Sequence, residues 1–185
     1  KPEHVTWEDV SDILRRAHAD NRSQGMNMAL PNAPADEIRQ RVERLGSMLV
    51  AMDEDKPVGV IGLLIIRETK KKIWCVHGGK IGYVNLLGVL PEYSGRGIAT
   101  QLFRAVDDLA RQQGMDKILG DTDVRNKSAI RLLKKMDYKV VDYICREDHE
   151  SVYILKWLDG CPFSWWRIKY HYIKSRREEL KKKHK

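Results

Sequence analysis

Apolar residues recur at helical spacing at Val10, Ile13, Leu14 and Ala17, and Thr6 is followed three residues later by Asp9, a variant of the capping box. The pattern predicts a helix from Trp7 to Asn21. Gly25 and Leu30-Pro31-Asn32-Ala33-Pro34 interrupt it, after which Ile38, Val42 and Leu45 mark a second amphipathic helix ended by Gly46. Ser47 to Met52 and Val58 to Ile66 are β-branched apolar runs joined by the polar stretch Asp53-Glu54-Asp55-Lys56-Pro57, which predicts an antiparallel hairpin. A charged run from Arg67 to Lys72 leads through Trp74 and Val76 to Gly78-Gly79 and a third strand over Ile81 to Val89.

Ile98, Leu102, Val106, Leu109 and Ala110 form the apolar stripe of a helix from Ile98 to Gln112, closed by Gly114, and Lys117 to Thr122 has the length of a buried strand. Strand, glycine loop, helix and strand in this order make one βαβ unit with a right-handed crossover. A helix over Ser128 to Met136 and a closing hairpin of Lys139–Cys145 with Val152–Leu158 complete a single mixed α/β domain without internal repeats.

Composition narrows the role of this domain. With 185 residues, 42% hydrophobic and 32% charged, the chain fits one folded domain and not a disordered or fibrous protein. Its longest apolar run, Val58 to Ile66, falls short of the ~20 residues that span a bilayer. Three unspaced cysteines (Cys75, Cys145, Cys161), with no signal-type opening stretch, point to a reducing cytoplasm, and Lys1 implies preceding residues. Cys75 with His77, and Cys145 with His149, are lone pairs where a structural zinc needs four ligands, so no metal is expected.

The net charge of +8 is unevenly placed. From Asp159 to Lys185 there are nine Lys or Arg against three acids, a net +6, which leaves +2 for residues 1–158. The chain thus divides into a nearly neutral domain, 1–158, and a basic aromatic extension, 159–185. Phe163, Trp165, Trp166, Tyr170 and Ile173 are expected on one side of a helix flanked by bases, a composition suited to an anionic membrane surface. The other reading packs these aromatics on the domain and leaves a solvated Lys-rich end. Nucleic acid is disfavoured because the body is neutral. A homodimer is left open.

The most informative segment is Val89-Leu90-Pro91-Glu92-Tyr93-Ser94-Gly95-Arg96-Gly97-Ile98-Ala99, between a strand and a helix. Gly95, Gly97 and Ala99 remove side-chain bulk where the helix's unpaired N–H groups and dipole favour an anion such as a diphosphate. A plain tight turn is the competing reading. The segment has neither the Lys-Ser/Thr of a Walker loop nor the G-x-G-x-x-G and later acid of a dinucleotide fold.

These residues resemble the GNAT superfamily of acyl-CoA-dependent N-acetyltransferases, whose acyl-CoA loop reads Gln/Arg-x-x-Gly-x-Gly/Ala after a strand ending in Val-x-Pro-Glu-Tyr. Gly97 and Ala99 match, while Ser94 replaces Gln or Arg. A second family segment, Asn-x-x-Ala-x-x-x-Tyr, resembles Asn126 to Leu133, where Asn126 and Ala129 match and Leu133 occupies the Tyr position. The resemblance runs from about Ser47 to Leu158. It implies a mixed, mostly antiparallel sheet with a V-shaped splay, helices on both faces and an added C-terminal helix. It also implies acetyl-CoA as co-substrate and direct transfer of acetyl to the primary amine of a small molecule such as an amino sugar, amino acid or polyamine. The contrasting possibilities are a weakly active acyl-CoA-binding module and a peripheral membrane enzyme with an amphiphilic acceptor.

On this resemblance, Ser94, Gly95, Arg96, Gly97, Ile98, Ala99 and Thr100 form the coenzyme loop, with Asn126 and Ser128 nearby, and pantetheine meets the backbone near Leu87 and Val89. The family's usual Glu falls at Asn85, which orients an amine or water but is no base. Tyr83 projects to the same side, and Asp121 on the next strand is the expected base through water. Each also fits a structural role: Asp121 as a strand-end cap, Tyr83 as a core aromatic, Asn85 as a satisfied amide. With Leu133 at the acid position, thiolate leaves unassisted or is protonated by water, Ser128 or Tyr138.

Overall fold

The helix predicted from Trp7 to Asn21 is two helices, α1 (Trp7–Ala17) and α2 (Ala19–Ser23), parted at His18, where φ is −108° and ψ is 10°. The division is seen in a computed structural model that describes residues 2–26, 32–66, 73–76, 79–145 and 149–183. Thr6 Oγ1 accepts from the Asp9 N–H at 3.1 Å, and Asp9 Oδ2 accepts from the Thr6 N–H at 2.8 Å, so two orphan donors of α1 are satisfied reciprocally. The predicted order then follows: α3 (Ala35–Leu45), β1 (Gly46–Asp53), β2 (Lys56–Ile66), β3 (Ile81–Val89), α4 (Ile98–Gln112) and β4 (Lys117–Asp123). After these come α5 (Lys127–Lys135), β5 (Lys139–Cys145), β6 (Glu150–Trp157) and α6 (Trp165–Lys183). The loop stretch 27–31, the charged run 67–72, His77, Gly78 and residues 184–185 lie outside the described residues.

The strands form one sheet in the order β1-β2-β3-β4-β6-β5. Every neighbouring pair is antiparallel except β3 with β4, which are parallel and matched only at Ile81↔Lys117, Gly82↔Ile118 and Tyr83↔Leu119. Beyond Tyr83 and Leu119 the two strands run on without pairing to each other, which opens the expected V in the sheet. On its other side β3 is bulged. Val60 faces Gly88 and Gly62 faces Asn85, so Leu86 and Leu87 stand opposite Ile61, and Leu86 takes the left-handed φ of 52°.

Helices cover both faces because each strand alternates its apolar side chains. On one face α1 and α3 bury Val10, Ile13, Leu14 and Ile38 against Val60, Leu64 and Leu86. On the other, α4 buries Leu102, Phe103 and Val106 against Ile61, Leu63, Val84 and Ile118. Each such fully buried Leu or Ile is worth about 2 kcal/mol relative to exposure, which fixes β3 and β4 in register below the splay.

The edge strand β5 is closed by side chains. The Tyr143 N–H donates to Ser175 Oγ at 3.4 Å, the Cys145 N–H to Glu179 Oε2 at 3.5 Å, and Trp74 Nε1–H to the Val141 carbonyl at 3.2 Å. Helix α6 therefore lies along β5 and shields an edge that otherwise invites another strand. Phe163 departs from the expected outer row of aromatics. It precedes α6 and packs on the body, 5.0 Å from Trp74 and 5.8 Å from Trp157 between ring centroids.

Candidate active site

From the end of β3 the chain turns through Leu90 and a short 3-10 segment, Pro91–Tyr93, into Ser94-Gly95-Arg96-Gly97 and α4. Gly95 and Gly97 have φ of +78° and +81°, a region where a side chain is strained, and a Cβ built on either meets nothing within 4 Å. The loop thus faces open space. Gly97 is the N-cap of α4, no side chain caps the helix, and its first turn holds no acid. The first intrahelical bond runs from Gln101 N–H to the Gly97 carbonyl, so the Ile98, Ala99 and Thr100 N–H groups precede the helical ladder. Together with the helix dipole they leave a cradle of donors that can hold an anion such as a diphosphate.

Neighbours hold this loop before any ligand arrives. Arg16 makes two hydrogen bonds to the Glu92 carboxylate, at 2.8 and 3.1 Å. The Tyr93 hydroxyl donates to Asp53 Oδ2 at 2.9 Å, and the Arg96 guanidinium lies 4.8 Å from the Tyr93 ring centre. Ser94 is exposed at the mouth.

At the crotch of the V the structure brings Tyr83 and Asp121 together. Tyr83 belongs to the last β3–β4 pair, Asp121 lies two residues beyond its partner Leu119 on the same face, and the Tyr83 hydroxyl donates to Asp121 Oδ1. Burial raises the Tyr83 phenol well above its usual range, and the Asp121 carboxylate beside it adds to the effect. Tyr83 is consequently a fixed donor and not a base. Asp121 is exposed to the cleft.

Asn85 follows two residues after Tyr83, on the same face. Its Oδ1 is buried and has no hydrogen-bond partner among the described residues, a cost of about 1–3 kcal/mol that core residues rarely carry. A Cβ on Gly62, directly opposite on β2, stands 2.6 Å from that oxygen, so glycine there gives the amide its place.

Two further residues shape the cleft without having been read from the sequence. His18 Nε2–H donates to the Leu87 carbonyl at 2.8 Å while its Nδ1 accepts from Asn21 Nδ2–H at 3.1 Å. Burial lowers the pKa of His18, so the ring is neutral when it makes these bonds. One of the backbone groups expected to meet pantetheine therefore already carries a protein partner. Arg125, beyond β4, donates from Nη2 to the Gly25 carbonyl and to Asp123 Oδ2, at 2.8 and 2.7 Å. Burial works to raise the Asp123 pKa, but the Arg125 guanidinium and N–H more than offset it and hold the carboxyl below its usual range. The latch ties the segment after α2 to the open end of β4.

The remaining predicted residues have defined places. Asn126 caps α5, its Oδ1 accepting from the Ala129 N–H at 3.1 Å and the Ser128 hydroxyl at 2.9 Å. Val89 ends β3 beside the loop. Tyr138 is buried edge-on to Phe103, with its hydroxyl unpartnered among the described residues and inside the core rather than in the cleft.

The family model described as "Acetyltransferase (GNAT) family" matches residues 7–138. N-alpha-acetyltransferase 30 of Schizosaccharomyces pombe is 32% identical over 91 residues, 48% of this chain and 55% of that protein. Probable N-acetyltransferase family 8 member 5 of Mus musculus is 28% identical over 149 residues, 79% of this chain and 59% of that protein, so the chain spans little more than half the length of these curated relatives. Among solved structures, an aminoglycoside 6'-acetyltransferase type Ii superposes with a TM-score of 0.64 at 19% identity, over 86% of this chain and 94% of that one, a likeness of fold. With the family model covering most of its length and a splayed sheet bearing a glycine cradle, the chain belongs to the GNAT acetyltransferase family.

Proposed function

We propose that the protein is an N-acetyltransferase that moves acetyl from acetyl-CoA to the primary amine of a small molecule by direct attack. The observation that carries this reading is the buried Asn85 Oδ1, without a partner among the described residues, two residues along β3 from Tyr83, whose hydroxyl anchors the Asp121 carboxylate. A buried acceptor without a partner fits an incoming N–H.

In this reading the cradle of Gly95, Gly97, Ile98, Ala99 and Thr100 takes the diphosphate, with Ser94 and Arg96 at its rim. Above Tyr83 the side of β3 turned away from β2 has no partner strand among the described residues, and its backbone near Val89 takes pantetheine as an added strand, the Leu87 carbonyl being already held by His18. Asn85 accepts one N–H of the amine and aims its lone pair along the cleft. Asp121 removes the ammonium proton through a water, while Tyr83 O–H keeps the carboxylate turned inward. The C–N bond forms, the C–S bond breaks, and the second proton lost by the nitrogen passes through water to the departing thiolate, since Leu133 and Tyr138 are both buried.

The S. pombe relative is named as an N-alpha-acetyltransferase, which makes a peptide α-amine the second acceptor class. Thiol release from acetyl-CoA, followed across amino sugars, amino acids, polyamines and short peptides, separates the two. The proposal expects release that depends on a small amine, with acetylated product by mass spectrometry. Release with peptides alone supports the second class, and tight acetyl-CoA binding without any amine-dependent release leaves only a binding module.

A further inference from the structure

Helix α6 has two apolar faces, and the domain uses one. Ile168, Tyr172, Ser175 and Glu179 recur at i, i+4, i+7 and i+11, and this row meets the body: Ile168 is buried, Tyr172 packs on the core, and Ser175 and Glu179 bond the β5 backbone. The row Trp166, Tyr170, Ile173 and Arg177 has the same spacing two residues earlier, which at about 100° per residue sets it on the opposite side. That side is bare. Trp166 is 73% exposed, Tyr170 62% and Ile173 37%, and the neighbouring Trp165 is 59% exposed.

A helix that only shields an edge strand has no use for two tryptophans and a tyrosine pointing away from it; solvent-facing helix positions are normally polar. The bases are placed around these rings. Lys169 Nζ lies 4.7 Å from the Trp165 ring centre, and Lys174, Arg177 and Lys181, three bases against the one acid Glu178, line a shallow groove with Tyr170 and Ile173. Residues 159–185 carry +6 of the chain's +8, so the exposed face is cationic as well as aromatic. Trp and Tyr rings settle at the headgroup level of a bilayer, and Lys and Arg beside them pair with anionic lipid phosphates. Among the described residues no helix is long and apolar enough to cross a membrane, so such a contact lies in the plane of the surface.

We propose that the outer face of α6 docks the domain on an anionic lipid bilayer. Trp166 and Tyr170 enter the headgroup region, and Lys174, Arg177 and Lys181 hold the phosphates around them. Because the Cys145 and Glu150 ends of β5 and β6 adjoin Asp123 through Ser151, the basic end of α6 lies toward the open end of the V. The docked enzyme then presents its cleft end beside the membrane plane. This inference stands apart from the acceptor assignment.

The test is flotation of the whole chain with vesicles of phosphatidylcholine, alone or containing phosphatidylglycerol. The proposal expects flotation with the anionic vesicles and little with the neutral ones. It expects W166E/Y170E to abolish binding and K174E/R177E/K181E to weaken it more than about tenfold. Circular dichroism and acetyl-CoA binding should be unchanged in both variants. In the unaltered protein, bromine-labelled lipids should quench tryptophan fluorescence, a readout that needs no variant. Absence of flotation with anionic vesicles overturns the proposal, as does equal binding to neutral vesicles that survives W166E/Y170E. A dimer in sedimentation equilibrium that the same double substitution dissolves, without vesicle binding, assigns the face to a second copy instead.

Discussion

His18 Nε2–H holds the Leu87 carbonyl at 2.8 Å, in the bulge where β3 leaves its register with β2. The bond joins the break between α1 and α2 to the strand that lines the cleft. His18→Ala should destabilise the protein by about 1–2 kcal/mol in a denaturant titration and lower turnover, because the half-buried carbonyl loses its donor. His18→Gln, which keeps an N–H donor, should recover part of both.

The same contact sets a pH dependence. Burial keeps the folded-state pKa of His18 below its ordinary value of about 6.5, so the unfolded chain takes up a proton first as pH falls. The stability share of His18 is complete above that value and is lost as pH drops toward the folded pKa. Melting temperatures of the protein and of His18→Gln should therefore converge between neutral and mildly acidic pH; a constant gap contradicts the neutral ring.

Much of this was legible in the sequence, and the exceptions share a cause. Periodicity marked α4 and β5 at their observed bounds, because the apolar stripe of α4 with Gly97 and Gly114 beside it, and the apolar β-branched run of β5, act over neighbouring residues. The glycine loop before α4 is legible as a motif, Tyr83 through strand alternation, Asp121 as the nearest carboxylate on the next strand, and Asn85 only through the family resemblance; their roles remain those proposed above. His18 and Arg125 were invisible, since their partners Leu87 and Gly25 lie far along the chain and are backbone carbonyls, which leave no side-chain signature. Phe163 was misplaced because helical spacing was extended past the true start of α6 at Trp165.

Gly97→Glu should abolish acetyl-CoA binding in calorimetry, since it puts bulk and negative charge where Gly97, at φ +81°, opens the cradle. Gly97→Ala separates the two effects. It should cost about 1–2 kcal/mol of stability from the left-handed backbone while only weakening the coenzyme.

Asn85→Leu should behave in the opposite way to a core substitution. Removing a buried oxygen without a partner leaves stability equal or higher, while the KM of the amine rises about tenfold and acetyl-CoA affinity stays the same. A fall in melting temperature with unchanged KM contradicts a role in receiving the amine.

Arg125→Ala releases the Gly25 carbonyl and leaves Asp123, 4% exposed, without its guanidinium. Arg125 itself is about half exposed, so the expected loss is about 1–2 kcal/mol rather than that of a fully buried pair. The acceptor KM should rise more than that of acetyl-CoA, measured with the amine found in the panel.

The division of labour between cradle and crotch is tested most directly by Asp121→Asn, followed as single-turnover acetyl transfer at saturating acetyl-CoA and amine. The structure predicts a loss of at least about a hundredfold in the transfer rate, the usual share of a general base, with acetyl-CoA affinity unchanged. An unchanged transfer rate contradicts proton removal by Asp121.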